Sequence, residues 1–220
     1  MARAGSSDCS TIETSQDVPG RTLEVPQGPA FIVNRMGQAE WARELARTIL
    51  EEPLPRRWAH SQGVAAKAES LVPILGEEAD LLIAAAWLHD IGYAPDLVDT
   101  GFHPLDGARY LRDVVEADGR LCRLVAHHTC AVNEARNRDL FDALTSEFGQ
   151  ERPELVEALT YCDMTTGPDG VPLDVTERLA EIHSRYGPEH LVSRSITAST
   201  PYILSAVRTV QAALEQSQTA

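Results

Sequence analysis

The stretch Ala84 to Tyr93, AAAWLHDIGY, ends an apolar run that begins at Leu81, and it places His89 directly before Asp90. A run that is apolar on most sides is typical of the central helix of an all-α core. Ionisable side chains at the end of a buried run cost free energy unless a partner compensates them, and a metal ion can be that partner. The stretch therefore predicts a buried metal site, provided that other segments supply the remaining ligands.

The rest of the chain is predicted to be helical, because apolar residues recur at helical spacing from Gly37 onward without the alternation typical of strands. Residues 1–35 are rich in Gly, Ser, Thr and Pro and are predicted to form a flexible polar arm. Residues 36–220 are predicted to form one all-α domain with additional C-terminal helices. The predicted helices are approximately 41–49, 55–75, 77–91, 104–115, 120–129, 139–148, 154–163, 175–186 and 200–215.

Composition restricts the classes of partner. The chain has 220 residues, a hydrophobic content of 43% and a net charge of −14, which argues against binding to a nucleic-acid duplex. It contains neither an apolar run long enough to span a bilayer nor an N-terminal signal pattern, so we expect a cytoplasmic protein that does not bind membranes. The four cysteines form no CxxC pair and are interpreted as reduced thiols. An oligomer is compatible with all of this.

Several predicted helices each place one histidine or aspartate on an apolar face or at a turn. Imidazole and carboxylate together suit Fe, Mn, Zn or Co better than Ca or Mg. A central carboxylate such as Asp90 can also bridge two ions, because both of its oxygens have lone pairs. The candidate ligands are His60, His89, Asp90, His103, His127, His128 and Asp163.

Each candidate also has an ordinary structural interpretation. A single histidine on an apolar face, such as His60, is more often a packed core residue, and Asp163 could cap a helix or pair with an arginine. His127 and His128 differ by about 100° around a helix, so both cannot point the same way. His128 shares the apolar face of its helix and is the better candidate, whereas His127 could reach a second ion or a substrate phosphate from the flank.

The order of these residues resembles that of a known superfamily. His60, the pair His89-Asp90 and Asp163 form the pattern H…HD…D of the HD-domain superfamily of metal-dependent phosphohydrolases. His103 in GFHPLDGARYL and the double histidine in LVAHHT resemble the additional ligands of members that hold two metals. RRWAHSQGV resembles the segment around the first histidine in HD-type dinucleotide hydrolases. The resemblance covers roughly residues 55 to 165.

The resemblance implies an HD-domain helical bundle with a binuclear metal site at its centre. His60, His89, Asp90 and Asp163 would hold one ion, and Asp90 would share the second ion with His103, His127 and His128. A water activated by the metals would attack the phosphorus of a small phosphorylated metabolite or nucleotide, either a phosphomonoester or a phosphodiester. The expected catalytic residues are Asp90, His127 and Tyr93. The phosphate charge also needs cationic neighbours, and the candidates come from the sequence itself: Arg56 and Arg57, four and three residues before His60 and close to its helix face, and Arg109, below His103. Each of these substrate-binding candidates could instead be a solvated surface residue.

Two departures leave other functions open. Many two-metal HD phosphohydrolases carry a lysine three residues after the motif aspartate, where this chain has Tyr93, and the GYP-type signature after the double histidine is replaced by CAVNEARNRD. A small branch of the superfamily comprises mixed-valence di-iron oxygenases with the similar ligand order His…His-Asp…His…His…Asp. A non-catalytic HD domain that senses nucleotides is the third alternative.

Overall fold

The computed structural model describes residues 37–219, so the predicted arm at residues 1–35 lies outside the described residues. The described chain is helical, and its only bridge of β type joins Thr166 to Pro172. The all-α class is therefore confirmed. The α-helices are α1 Gln38–Leu50, α2 Pro55–Glu69, α3 Val72–Leu75, α4 Ala79–Leu88, α5 His103–Asp113, α6 Gly119–His127, α7 Ala131–Asn137, α8 Phe141–Glu147, α9 Pro153–Met164, α10 Val175–Tyr186 and α11 Leu191–Thr219.

Helix α4 lies at the centre of the domain. It packs against α1, α2, α6 and α9, and residues such as Leu82, Ala85 and Leu88 are completely buried. Contact on all sides explains why its sequence is apolar all round. The helix is shorter than predicted and ends at Leu88, with His89 as its C-cap and a 3₁₀ turn at Ile91–Tyr93 immediately after Asp90.

Two further predicted helix ends are wrong, each for a local reason. Helix α2 ends at Glu69, not near residue 75, because Pro73 cannot donate to the helical ladder, and the chain restarts as the short α3. Helix α6 ends at His127, not at residue 129. Thr129 and Cys130 have φ angles of 44° and 62°, so the chain turns through left-handed conformations that a helix does not allow.

The C-terminal helix begins earlier than predicted, at Leu191, and carries Pro201 in its interior. Side-chain hydroxyls stabilise the first half of α11. Ser195 and Ser199 each donate to the carbonyl four residues earlier and accept a hydrogen bond of 2.8 Å from Asn137 and Asn133 of α7, respectively. These contacts between helices override the local signal of a threonine cap followed by proline.

Two further expectations concern membranes and thiols. None of the helices within residues 37–219 is both long enough and apolar enough to cross a bilayer. Cys122, Cys130 and Cys162 are free thiols, as predicted, and Cys9 lies outside the described residues.

Candidate metal centre

Two groups of potential ligand atoms meet in the interior, beside the C-terminal end of α4. Within each group, the ligand atoms lie within 4.8 Å of one another. The first group consists of His60, His89 and Asp163, and the second consists of Asp90, His103 and His128. Separate elements supply these side chains: α2, the end of α4, the start of α5, the turn after α6, and α9. Every member is buried except His103, which is partly exposed.

Asp90 connects the two groups, since each of its carboxylate oxygens faces one of them. Its Oδ2 lies 3.3 Å from Nε2 of His89 and 3.8 Å from Nε2 of His60. Its Oδ1 lies 3.3 Å from Nε2 of His103 and 3.9 Å from Nε2 of His128. A carboxylate placed in this way can donate one oxygen to each of two ions.

The backbone orients three of the imidazoles with Nε2 toward the centre. Nδ1 of His60, His89 and His128 lies 2.9, 2.8 and 2.7 Å from the carbonyl oxygens of Gly167, Ala86 and Val125, respectively. A carbonyl only accepts hydrogen bonds, so each Nδ1 carries a proton and each Nε2 faces the ligand groups, where it can bind a metal ion once it is deprotonated. Backbone carbonyls in this role commonly fix the tautomer of histidines that bind metals.

Two observations show that this donor set fits metal ions. Nε2 of His89 is buried without a hydrogen-bond partner. Nε2 of His103 lies 3.1 Å from Nε2 of His128, so two basic nitrogens face each other. Two nitrogen ligands at right angles on one ion, each at about 2.1 Å, are about 3 Å apart, so a shared cation would account for this spacing.

Nearby positive charge and hydrogen bonds keep both buried carboxylates ionised. Burial by itself would raise the pKa of Asp90, but Arg57 and then His89 outweigh it and hold this pKa well below its usual range. Burial likewise opposes ionisation of Asp163, whose pKa is lowered chiefly by its hydrogen bond with His60. Burial, reinforced by His103 and His89, lowers the pKa of His128 to about 4, so its imidazole is neutral at pH 7.

The structure separates the double histidine. His128 belongs to the second ligand group, whereas His127 belongs to neither group and its Nε2 lies 2.7 Å from the carbonyl oxygen of Phe148. The cause is the end of α6, because His127 still has helical neighbours while His128 is extended, with φ −60° and ψ 149°. The predicted role of His127 as a metal ligand and catalytic residue is thus not supported by its position.

We expect His128→Ala to lower metal affinity by at least about tenfold, because changing a group that merely supports a ligand already costs about 10–100-fold. His127→Ala should leave metal affinity near the wild-type value, since its ring bonds to a backbone carbonyl. Metal titration of the folded fraction of each variant provides the measurement. Equal losses in both variants would contradict the placement of His127 outside the ligand groups.

Tyr93, three residues after Asp90, lies between His103 and Arg57. Its ring stacks on His103 with centroids 3.9 Å apart, and the Arg57 guanidinium lies 4.1 Å from the ring centroid. Burial, followed by the negative charge of Asp90, raises the pKa of Tyr93 well above its usual value, so the phenol is neutral. These contacts support a positioning role for Tyr93.

A pocket of about 80 Å³ is lined by all three members of the second ligand group and by Asp163 of the first. Arg57 lines it and donates to Oδ2 of Asp90 at 2.6 Å. The other two predicted substrate-binding arginines are not among its lining residues. Arg56 is exposed and pairs with Asp169, and Arg109 pairs with Glu147.

Two other arginines that line the pocket, Arg178 and Arg185 of α10, were not found from the sequence. They lie beside the apolar stripe of Leu179, Ile182 and Tyr186 on that helix, of which Leu179 and Ile182 are buried. Two arginines seven residues apart lie on the same side of a helix, and their position next to such a stripe is the signal that could have indicated them.

The fold and the site define an all-α protein with a buried centre of histidines and aspartates suited to metal ions. A family model described as HD domain matches residues 57–166, and the chain belongs to the HD domain family. The matched segment contains all six members of the two ligand groups and ends before α10. The family generally comprises metal-dependent hydrolases. Comparisons with curated proteins and with solved structures gave no significant match.

Chelation should lower the melting temperature of the purified protein, because a site built from five elements binds metal only when the domain is folded. A ligand at a hundred times its Kd contributes about 2.7 kcal/mol, which corresponds to a shift of about 5–10 °C in a domain of this size. The shift in melting temperature is measured by thermal unfolding with and without EDTA, and addition of Mn²⁺ after chelation should reverse it. An unchanged melting temperature would mean that the histidines are ordinary core residues.

Proposed function

We propose that this protein is a phosphohydrolase that holds two divalent metal ions and acts on a small phosphorylated metabolite or nucleotide. One observation carries the proposal: Asp90 presents one carboxylate oxygen to each of the two ligand groups. The first ion would be held by His60, His89, Asp90 and Asp163, and the second by Asp90, His103 and His128. Fe, Mn, Zn and Co all suit such ligands.

When bound, the ions would lower the pKa of a water molecule and polarise the phosphoryl oxygens. Side chains of the protein would neutralise the charge of the substrate and hold the site in position. Arg57 would neutralise charge on the substrate at the edge of the site, where the structure places its guanidinium against Asp90. Tyr93 would hold both Arg57 and His103 by ring contacts. In the net reaction, a bond forms between the oxygen of water and phosphorus while the ester P–O bond breaks.

The test begins with protein stripped of metal and refilled separately with Mn²⁺, Fe²⁺, Zn²⁺ or Co²⁺. Release of nitrophenol from nitrophenyl phosphate and bis(nitrophenyl) phosphate, and of phosphate from a nucleotide panel, is then measured. Activity that requires metal and is absent in Asp90→Asn supports the proposal. Tight metal binding without turnover across the panel would contradict it and favour a sensor.

A di-iron oxygenase is the second candidate, and a specific observation favours it. Because His127 lies outside both groups, the remaining ligands follow the order His60, His89-Asp90, His103, His128, Asp163, which is the order that the resemblance assigns to the mixed-valence oxygenases. Iron analysis, EPR spectra and O₂ uptake of protein prepared without oxygen separate the two functions. A mixed-valence EPR signal together with O₂ consumption and no phosphate release would establish the oxygenase.

A further inference from the structure

The pocket over the metal centre has a second wall that lies outside the family match. Helices α10 and α11, beyond residue 166, contribute it. The residues from these helices that line the pocket are Arg178, Ile182, Arg185, Tyr186, Val192, Ser195, Ile196 and Ser199. The matched segment supplies the ligand groups and Arg57, so this added wall is the part of the pocket that the family match does not cover.

Positive charge on this wall is fixed in place by neighbouring side chains. Glu181 lies 2.5 Å from Nη1 of Arg178 and 3.3 Å from Nε of Arg185. Arg185 also lies over the Tyr186 ring, 4.9 Å from its centroid. Because these contacts already hold both arginines on one helix face, the side chains lose little conformational entropy when they bind an anion.

Arg178 in particular lacks a full set of partners. It is only 4% exposed, its Nε has no hydrogen-bond partner, and its Nη2 stays 3.8 Å from Asp163. A buried guanidinium with an unsatisfied donor is costly, and an anion in the pocket is the kind of group that would satisfy it. The acidic lining residue outside the ligand groups, Glu134, is paired with Arg138 at 2.8 Å and does not neutralise this wall.

The rest of the wall is effectively apolar. The hydroxyls of Ser195 and Ser199 donate to carbonyls of their own helix and accept hydrogen bonds from asparagines of α7. Neither hydroxyl therefore has a proton left to donate to a bound ligand. Ile182, Val192 and Ile196 complete the surface. Such a wall suits a short aliphatic group more than one rich in hydroxyls.

The pocket offers no free platform for a nucleobase. Apart from the histidines of the second ligand group, Tyr93 and Tyr186 are the aromatic residues among the described residues that line the pocket. Tyr93 is covered by His103 and Arg57, and Tyr186 by Arg185 and by His190, whose ring centroid is 4.9 Å away. Proteins that hold unpaired bases usually stack them on an open aromatic face.

We propose that the pocket binds a compact phosphorus oxyanion on a short aliphatic body, with the anion held by Arg57, Arg178 and Arg185, and that it disfavours nucleotides. The inference rests on the proposed function, since it names the substrate class of the same site. A phosphate ester and a phosphonate share this head group. They differ in the atom that joins phosphorus to the body, and only the ester can be hydrolysed at a P–O bond.

The test uses the full chain loaded with Mn²⁺ and measures the Kd values of orthophosphate, ethylphosphonate and adenosine monophosphate by calorimetry. Arg185→Gln is the informative variant, because Arg57 and Arg178 lie against the proposed metal ligands Asp90 and Asp163. Arg208→Gln removes the same charge from an exposed site on α11 outside the pocket lining and is the matched control.

We expect Arg185→Gln to raise the Kd values of orthophosphate and ethylphosphonate about tenfold or more, which is the usual effect of losing a hydrogen bond to a charged group. Arg208→Gln should bind both as the wild type does, with equal metal content in all three proteins. Adenosine monophosphate should bind no more tightly than ethylphosphonate. An unchanged Kd in Arg185→Gln, or adenosine monophosphate binding at least about tenfold more tightly than ethylphosphonate, would overturn the proposal.

Turnover separates this proposal from the proposed function. If Arg185→Gln weakens both anions but the wild type releases no phosphate from ethyl phosphate, the binding proposal holds and the hydrolase fails. If phosphate is released equally by the wild type and by Arg185→Gln at low substrate concentration, the hydrolase holds and the binding proposal fails. Under both proposals ethyl phosphate yields phosphate, whereas O₂ uptake with ethylphosphonate and no phosphate release from ethyl phosphate would contradict the hydrolase and leave the binding proposal standing for a phosphonate.

Discussion

Asp90→Asn is expected to reduce metal content sharply and to lower activity by at least about a hundredfold, the upper end of the cost of changing a group that only supports a ligand. The reason is the position of the carboxylate. It is 3% exposed, and its two oxygens face different ligand groups. An asparagine keeps the shape but removes the negative charge and replaces one oxygen with an NH₂ group that cannot bind a cation.

The same substitution removes the partner of Arg57. Arg57 donates to Asp90 at 2.6 Å, and a guanidinium facing an amide NH₂ group would turn away or remain poorly compensated. Asp96→Asn, at an exposed position, makes the same chemical change away from the site and is the matched control. The metal content and the turnover of both variants are measured, and only Asp90→Asn is expected to lose them. Wild-type metal content and activity in Asp90→Asn would remove Asp90 from the centre of the site.

The all-α fold could be predicted because helical periodicity is a local property of the sequence. The same periodicity placed His60 and Asp163 on inward faces, and the structure brings both beside His89. Helix ends were harder to predict. The left-handed turn at Thr129 and Cys130 uses residues that rarely adopt positive φ, so no local sequence signal predicts this turn. That turn decides which residue of the double histidine faces the centre.

Contacts between distant segments could not be predicted. Arg56 and Arg109 were inferred from their proximity in sequence to His60 and His103, but long arginine side chains reach whichever acid lies nearby, here Asp169 and Glu147. Arg178 reaches the pocket because α10 folds back onto α9, where Asp163 lies. Only the tertiary structure contains that information.

The packing at Gly92 is another contact between separate segments that could not be predicted, because the sequence around Gly92 indicates only the end of a helix. In the structure it allows the turn after α4 to approach α5 closely. A Cβ atom at this position would lie well inside van der Waals contact of the carbonyl oxygen of His103 and 2.7 Å from the backbone nitrogen of Gly107. Both atoms belong to the backbone, so neither can move aside without moving the helix.

Gly92→Ala is therefore expected to lower the free energy of unfolding by about 1–3 kcal/mol, the usual cost of overpacking. It should also weaken metal binding, because α5 must shift and His103 is its first residue. Gly119→Ala is the matched control. Its Cβ would meet only Arg123, at an ordinary 3.7 Å, and alanine is the better residue inside the first turn of α6.

Denaturant unfolding and metal titration of both variants separate the two effects. A loss of stability in Gly92→Ala that persists in EDTA reports the clash itself, whereas an additional loss with metal present reports the displacement of His103. Equal stability of Gly92→Ala and Gly119→Ala would mean that the turn and α5 do not pack at this distance. In that case Asp90 and His103 would not be held within reach of a shared ion by the backbone, and the second ligand group would lose its structural basis.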